Sequence, residues 1–284
     1  MTPKLLLVLL AGLFSGSSYS LNDAATLTGP YLGQTPPGLT PEVFAPAGVS
    51  QPYRDWGGSF TPDMTEYYFT RRNNKTGTSS KFVYKSVNNK WQLIELDAQL
   101  GGAISPDGNT MFVRNQYRDR TVDGWSELKS LGSVFENFRI MRLTASAAGT
   151  YVFDEATRDG NGVLRYSRLV NGQREAPVAF GAEINTGKWT AHPFIAADES
   201  YIIWDSEREG GYGDSDMYIS FRQADGSWGA AINFGDTINT EGEDGGGYVT
   251  PDGKYLFFCR RCAPPDFEIM WVDARIIGQL RAAQ

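Results

Sequence analysis

The sequence predicts an all-β fold built from five copies of one unit. A tight-turn sequence followed by an apolar, aromatic-rich run recurs five times, with turns centred near Asp63, Asp107, Ala148, Asp198 and Asp252. Successive turns are 41 to 54 residues apart. A period in the forties, with one turn and several strands in each unit, is typical of a propeller blade. We therefore predict a five-bladed β-propeller with four-stranded antiparallel blades.

Turn residues divide each unit into short strands. Blade 4 shows the division most clearly, with strands A to D predicted at residues 192–196, 201–206, 216–222 and 228–234. The Asp225-Gly226 pair between the last two strands is a strong hairpin signal. Blades 1 and 3 repeat this pattern. Blade 2 is predicted to be irregular, because residues 118–123 are polar where its third strand is expected.

The last blade lacks a fourth strand. After three strands at residues 246–250, 254–260 and 267–272, the chain enters residues 273–280, which predict a short helix. The apolar run Glu42-Val43-Phe44-Ala45 is the candidate for the missing strand, since pairing it with residues 267–272 would close the ring and remove exposed sheet edges. The propeller domain is then residues 41–284, and residues 21–40 are expected to form an N-terminal arm over the surface.

Residues 1–20 have the features of a secretory signal peptide. Lys4 is followed by the apolar run from Leu5 to Phe14 and by a small-x-small sequence, Ser18-Tyr19-Ser20. No later stretch approaches the roughly 20 apolar residues of a membrane span. We therefore expect a periplasmic or secreted protein without a membrane span.

The composition restricts the partners. The chain has 33 acidic and 26 basic side chains and a formal net charge of −7. This acidity argues against nucleic acid and anionic membranes, both of which require a basic surface. The expected partner is an anionic small molecule or oligosaccharide, or a cell-envelope protein, and the chain is expected to be a monomer. No cofactor or metal is predicted, because no nucleotide-binding or metalloenzyme motif occurs.

Cys259 and Cys262 are the chain's two cysteines. In an exported protein this spacing predicts a local disulfide at the end of a strand. A redox pair would need a helix start after a strand. A zinc site would need more ligands than these cysteines and the single histidine, His192, readily supply.

The repeated turn resembles a known family. The pattern from Pro251 to Phe258, with its other copies, is similar to the PD40 or WD40-like propeller repeats of TolB-type proteins. The segment Asp214–Arg222, followed by Gly226–Gly229 and Ile238–Thr240, is the most typical copy. This resemblance covers residues 41–280 and implies the propeller fold, while the family's activities range from envelope-protein binding to oligogalacturonate lysis. The metal-dependent lyases of the group use several histidines, and this chain has one.

One mouth of the predicted channel is rich in arginine. In a propeller the D–A and B–C connections emerge together, and arginine recurs there in every blade. Such guanidinium groups could bind a carboxylate, sulfate or phosphate. Alternatively, they could pair with acidic residues of neighbouring blades and tie the ring together. The candidate ligand-binding residues are Arg54, Asp55, Arg71, Arg114, Arg139, Trp189, Arg208, Asp244 and Arg260.

The B–C connection of blade 4, residues 204–214, is the richest stretch. It combines Asp205 and Glu207 with Arg208, aromatic side chains and three glycines. With His192 these residues form the predicted core of the site, in which His192, Asp205 and Glu207 are the catalytic candidates; a purely structural histidine is the alternative. The sequence thus leaves two functions open. One is a module that binds an anionic ligand, an acidic oligosaccharide or a carboxylate-bearing peptide. The other is a carbohydrate-active hydrolase or uronate lyase.

Overall fold

The structure is a computed structural model that describes residues 27–44, 53–73, 75–97, 100–263 and 266–283. The predicted signal peptide, residues 1–20, lies outside the described residues. Five antiparallel blades, each with a four-stranded path, surround a central channel, so the predicted five-bladed β-propeller is confirmed.

In blades 1 to 4 the strands follow chain order from the channel outward, whereas in blade 5 the outermost strand is β1 (Glu42–Val43), the first strand of the chain. Blade 1 consists of β2 (Tyr53–Phe60), β3 (Glu66–Asn73), β4 (Ser79–Val87) and β5 (Lys90–Leu96). Blade 2 consists of β6 (Ala103–Ile104), β7 (Thr110–Val113), β8 (Gln116–Thr121), β9 (Gly124–Trp125) and β10 (Lys129–Ser130). Blade 3 consists of β11 (Ile140–Ala145), β12 (Tyr151–Glu155), β13 (Val163–Ser167), β14 (Leu169–Val170), β15 (Gln173–Arg174) and β16 (Val178–Ala179). Blade 4 consists of β17 (Lys188–Ile195), β18 (Tyr201–Glu207), β19 (Asp216–Phe221) and β20 (Ile232–Asn233). Blade 5 consists of β21 (Asp244–Val249), β22 (Tyr255–Ala263), β23 (Asp266–Asp273) and the N-terminal strand β1.

Blade 2 is irregular, as predicted, because an additional short strand, β9, lies off its four-stranded path. Its polar third strand, β8, nevertheless forms, and it pairs with β7 over residues 116–119 and with β9 at Arg120 and Thr121. Arg118 of β8 is buried and donates a hydrogen bond to the Ser126 carbonyl oxygen, while Arg120 makes an ion pair with Glu66 of blade 1. The polar side chains therefore have partners inside the sheet and at the blade interface, which is why a polar sequence forms a strand here.

The N-terminal strand closes the ring as predicted. Glu42 and Val43 of β1 pair with Trp271 and Met270 of β23, and the Phe44 amide donates a 2.7 Å hydrogen bond to the Ile269 carbonyl oxygen. Phe44 is fully buried. Its ring contacts four aromatic rings from blades 1 and 5, namely Phe60, Tyr67, Phe257 and Trp271. Ala45, the last residue of the predicted strand, lies outside the described residues.

The described part of the expected N-terminal arm is largely exposed, but it is anchored in the core by Tyr31 and Leu32. Leu32 is fully buried and Tyr31 is 5% exposed, both within the aromatic core of blades 1 and 5. The Trp91 indole N–H also donates a 2.8 Å hydrogen bond to the Gly29 carbonyl oxygen. Residues 27–44 therefore link the outermost strand of blade 1 to blade 5, because their apolar side chains fill the seam between these blades.

The predicted disulfide is not present. Cys259 is a free thiol. Both cysteines belong to the continuous strand β22, rather than to a loop that follows it.

The predicted C-terminal helix is present as α1 (Arg275–Ala282), and Ile276 and Ile277 bury it against the core. In the part of the chain that the structure describes, no helix is both long and apolar enough to cross a membrane.

Candidate functional site

A cavity of about 940 Å³ runs along the propeller axis and is lined by all five blades. It extends from the mouth formed by the D–A and B–C connections, near Arg114 and Glu243, to the A–B turns at Pro62 and Pro251 at the other end. We call the mouth formed by the D–A and B–C connections the cationic mouth, because Arg114, Arg142 and His192 line the cavity there.

Five equivalent backbone positions form a ring inside the cationic mouth. In each blade one backbone N–H closes the A–B turn by bonding to the start of the second strand. Counting four residues back from these N–H groups gives the channel ring, which consists of Gly57, Gly101, Arg142, His192 and Gly246. All five residues line the cavity. Three blades have glycine at this position, whereas blades 3 and 4 carry an arginine and a histidine.

The backbone of His192 is strained. Its φ is +49°, and the three ring glycines also have positive φ values. This left-handed conformation favours glycine, and a non-glycine residue there costs free energy. Strained backbone persists where the surrounding structure over-determines it, often at functional sites. The protein therefore keeps an imidazole at a position where glycine would fit the backbone better.

Asp205 fixes the orientation of the His192 ring. Its two carboxylate oxygens lie 3.0 and 3.1 Å from Nδ1, and Oδ1 also accepts a 2.8 Å hydrogen bond from the Gly246 amide. Asp205 is 4% exposed, while the His192 side chain is 39% exposed to the cavity. The Asp205 charge raises the pKa of His192 to about 9, against the opposing effect of burial. His192 is therefore an imidazolium at neutral pH, with Nδ1–H directed at Asp205 and Nε2–H available to a ligand.

Arg142 is the second cation of the ring. A Cβ atom placed on Gly246 would lie 3.8 Å from its Nη1, so the guanidinium reaches from blade 3 towards blade 5. Among the described residues, no hydrogen bond or ion pair involves this guanidinium. Burial lowers its pKa, although Asp205 and Cys259 act in the opposite direction. An arginine keeps its charge in proteins, so the cavity contains a permanent cation without a direct counter-ion.

A buried hydroxyl lies in the same part of the cavity. Tyr248 is 7% exposed and lines the cavity, and its hydroxyl has no hydrogen-bond partner within the described residues. Burial raises its pKa, which keeps the O–H protonated. An unsatisfied buried hydroxyl is costly, and a ligand oxygen would satisfy it.

Asp154 holds the backbone of both cationic residues of the channel ring, Arg142 and His192. It is fully buried and accepts hydrogen bonds from three amides, those of Met141 (2.7 Å), Arg142 (2.9 Å) and His192 (2.9 Å). One carboxylate thus holds the backbones of blades 3 and 4 at the channel ring. Because Asp154 faces these amides, its role is in positioning rather than in contact with a ligand.

Three of the six arginines that the sequence places at the mouth, Arg71, Arg208 and Arg260, are engaged within single blades. Arg71 makes two 2.9 Å hydrogen bonds to Asp55, directly opposite it in the sheet, and Arg260 bonds to Asp244 at 2.7 Å in the same way. Arg208 donates a 2.5 Å hydrogen bond to the Ile184 carbonyl oxygen and covers the rings of Trp204 and Tyr218. The pairs join neighbouring strands of one blade, rather than neighbouring blades.

The remaining predicted residues are spread around the mouth. Arg54 belongs to β2, and its side chain is outside the described part. Arg139 is exposed, Trp189 is 61% exposed, and Glu207 faces Lys188 at 3.9 Å. Of the predicted site residues, His192 and Arg114 line the cavity. In the described residues no group of three or more His, Cys, Asp or Glu side chains is placed to hold a metal ion.

Lys81, Arg142, Tyr248 and Cys259 are among the cavity-lining residues that the sequence did not predict. Arg142 and Tyr248 lie inside innermost strands, whereas the sequence prediction rests on the connections between strands. An alignment of the five repeats on their A–B turns would have found Arg142, since it places an arginine and a histidine where three blades have glycine.

Fold and site together define a five-bladed β-propeller with a cationic channel. No protein-family model matches the chain, and no curated protein matches it. The structure is similar to the catalytic domain of the Coprinopsis cinerea GH62 α-L-arabinofuranosidase, with a TM-score of 0.52, 10% identity and coverage of 83% of this chain and 94% of that one. At this identity the likeness shows the fold alone.

Two further solved structures match with lower TM-scores, and their names correspond to relatives that the repeats resemble. An Agrobacterium tumefaciens protein provisionally named TolB matches with a TM-score of 0.48, 16% identity and 78% coverage of both chains. An oligogalacturonate lyase in complex with manganese matches with a TM-score of 0.43, 18% identity, and 80% and 64% coverage. Membership of the PD40 repeat family in particular stays a prediction.

Proposed function

We propose that this protein is a binding module that holds an anionic ligand inside the cationic mouth of its channel. The observation that carries the proposal is the Arg142 guanidinium, which faces the cavity without a partner among the described residues, beside the imidazolium of His192. Hydrogen bonds in which donor and acceptor are both charged are among the strongest in proteins. Two such donors at adjacent ring positions favour a carboxylate, sulfate or phosphate group.

The site is preorganised for a carboxylate. Asp154 fixes the backbone of both cations, Asp205 fixes the imidazole, and the Tyr248 hydroxyl supplies a neutral donor. Donors held in place by the protein reduce the entropy that binding must remove. The cavity of about 940 Å³ admits more than a simple ion. The proposed ligands are therefore an acidic oligosaccharide or a carboxylate-bearing peptide, met in the periplasm or outside the cell if the signal peptide is processed.

A glycoside hydrolase mechanism has little support in this geometry. Such enzymes need two carboxyl groups that reach the sugar from the active-site cavity. Asp55, Asp154, Asp205 and Asp244 are each at most 4% exposed. Each also accepts hydrogen bonds from backbone amides or from arginine or histidine side chains, so these four carboxyl groups do not supply the pair of acids that such an enzyme needs.

A second candidate function is β-elimination on a uronate chain. The observation that favours it is the His192–Asp205 contact, which leaves Nε2 as the reactive nitrogen beside Arg142. With a pKa of about 9, His192 is a base only at high pH. The unsaturated product formed from polygalacturonate is measured by its ultraviolet absorbance. A rate of product formation that rises through pH 9 would favour this activity. Its absence from wild-type protein that binds the polymer would favour the binding module.

Replacing Arg142 with glutamine is expected to weaken anion binding at least tenfold, since a charged hydrogen bond contributes about 1.5–3 kcal/mol. His192→Asn should produce a loss of similar size. Calorimetric titration with trigalacturonate and triglutamate measures both effects, and maltotriose serves as the uncharged ligand.

The matched control is Arg275→Gln, because Arg275 is 77% exposed near the C-terminal helix and the charge change is the same. Its affinity should equal that of the wild type. If Arg142→Gln binds the acidic ligands as tightly as the control, the ligand is held elsewhere and the proposal fails.

Binding should also depend on pH through His192. Asp205 and Asp154 raise the pKa of the His192 imidazole, and Arg142 lowers it. The resulting pKa is about 9. Because the group is protonated below its pKa, affinity should be constant from about pH 7 to 8 and fall as the pH passes 9. The same titration in His192→Gln should be weaker throughout and lack this decline. A wild-type affinity that stays flat through pH 10 would contradict the assigned role of the imidazolium.

A further inference from the structure

Two further cations line the cavity on blades 1 and 2. Lys81 lies in β4, the third strand of blade 1, and its Nζ donates a 2.6 Å hydrogen bond to the hydroxyl of Thr70, which is 5% exposed. Arg114 is exposed at the B–C connection of blade 2. Over the described ranges, neither side chain has a carboxylate within ion-pair distance. In a protein with a net charge of −7, two cations without acidic partners are unexpected in one cavity.

The channel ring leaves space for Lys81. A Cβ atom at Gly101, the ring position of blade 2, would lie 3.2 Å from Cδ of Lys81, closer than a comfortable contact. Glycine at this position therefore allows the lysine stem of blade 1 to extend along the neighbouring blade. Burial, together with the nearby charge of Arg114, lowers the pKa of Lys81, which is the effect of two like charges placed close together.

Arg114 is held in an unfavourable backbone conformation. Val113 pairs with Gln116, so Arg114 and Asn115 form a two-residue hairpin turn, and the φ of Arg114 is +57°. The first position of a turn with positive φ is usually glycine. As with His192, the protein retains a cationic side chain where the backbone favours glycine, and that side chain lines the cavity.

The Lys81–Arg114 pair is distinct from the Arg142–His192 pair. Arg142 reaches towards Gly246 of blade 5, where its Nη1 lies 3.8 Å from the position of a Cβ atom, whereas Lys81 extends along Gly101 of blade 2. The cavity thus presents two cationic groups of side chains on different blades. Like charges held together without a counter-ion are destabilising, so a bound anion would relieve both groups.

We propose that Lys81 and Arg114 form a second anion subsite, so that the preferred ligand carries two negatively charged groups, one at each cation pair. This inference rests on the proposed function and goes beyond it, because it specifies the charge pattern of the ligand. A molecule that ends in a single carboxylate would use only the Arg142–His192 subsite. A diacid, or a chain with acid groups on separate units, would use both.

A series of linear α,ω-dicarboxylates and their monomethyl esters tests this pattern, because esterification removes one charge with little change in length. Calorimetric titration of the full-length protein should show at least tenfold tighter binding of the diacid of best length than of its monoester. In Lys81→Gln/Arg114→Gln this preference should disappear, while the affinity for the monoester stays unchanged. The charge-retaining variant Lys81→Arg/Arg114→Lys should keep most of the preference.

The matched control is Lys129→Gln/Arg168→Gln, which removes two exposed cations from blades 2 and 3 outside the cavity. It should bind every ligand as the wild type does, and melting curves establish that all variants are folded. Equal affinity of the wild type for diacid and monoester overturns the second subsite but leaves the proposed function intact. A preference that survives in Lys81→Gln/Arg114→Gln has the same consequence. If the wild type binds neither compound, or if Arg142→Gln binds both normally, the proposed function itself falls.

Discussion

Replacing Phe44 with alanine is expected to lower the free energy of unfolding by about 3–5 kcal/mol, the usual cost of removing a fully buried phenylalanine side chain. Phe44 is fully buried, and its ring contacts Phe60, Tyr67, Phe257 and Trp271. These rings belong to the first and last blades, so the cavity left by the substitution would open the seam at which the chain closes on itself. Urea unfolding followed by tryptophan fluorescence measures the loss.

The control for this prediction is Leu39→Ala. Leu39 belongs to the same N-terminal segment and is 38% exposed, so the change should cost less than about 1 kcal/mol. A Phe44→Ala protein that unfolds at the same urea concentration as Leu39→Ala would show that closure by β1 contributes little to stability. The ring would then be held by the other four interfaces between blades.

Replacing Asp154 with alanine should destabilise the protein by about 3–5 kcal/mol, because it leaves three amides at the channel ring without an acceptor and each unsatisfied group costs about 1–3 kcal/mol. The loss should exceed that of any other single aspartate that we have described. Burial raises the pKa of Asp154. Asp154→Asn keeps one carbonyl oxygen and should therefore show a smaller loss than Asp154→Ala.

Asp225→Ala is the comparison for this variant. Asp225 accepts hydrogen bonds from Ser227 in an exposed C–D turn, and its removal should cost less than about 1 kcal/mol. Thermal melting at neutral pH distinguishes the two aspartates. Similar melting temperatures for Asp154→Ala and Asp225→Ala would mean that water replaces the carboxylate at the channel ring, and that Asp154 does not hold blades 3 and 4 in register.

The fold was predictable from the sequence because each blade repeats its turn and its aromatic run. The closing strand at Glu42–Val43 was predictable for a related reason, since a ring that lacks one strand must obtain it from elsewhere in the chain. The burial of Tyr31 and Leu32 was not predictable. Two apolar residues between turn residues carry no periodicity, and only the seam between blades 1 and 5 determines where they pack.

The candidate site was predictable in part. His192 and Arg114 were identified as residues of one mouth, and both line the cavity. Arg71 and Arg260 share the residue type and the location along the blade that made Arg114 a candidate. The distinction depends on Asp55 and Asp244, each of which lies opposite its arginine in the sheet and satisfies it. Register between strands decides which cations are neutralised, and composition alone does not report register.

Two glycine positions of the channel ring, Gly57 and Gly246, have room for a side chain. Side chains at ring positions project into the channel, whereas packing between blades depends on other residues of the same strands. At Gly57 nothing lies within 4 Å of where a Cβ atom would be, and at Gly246 the one near atom is Nη1 of Arg142. Asparagine and aspartate tolerate the left-handed backbone found there. A single substitution at Gly57 or Gly246 would therefore place a new side chain in the channel and leave the scaffold unchanged. This ring is a natural place for ligand specificity to diverge among related chains during evolution.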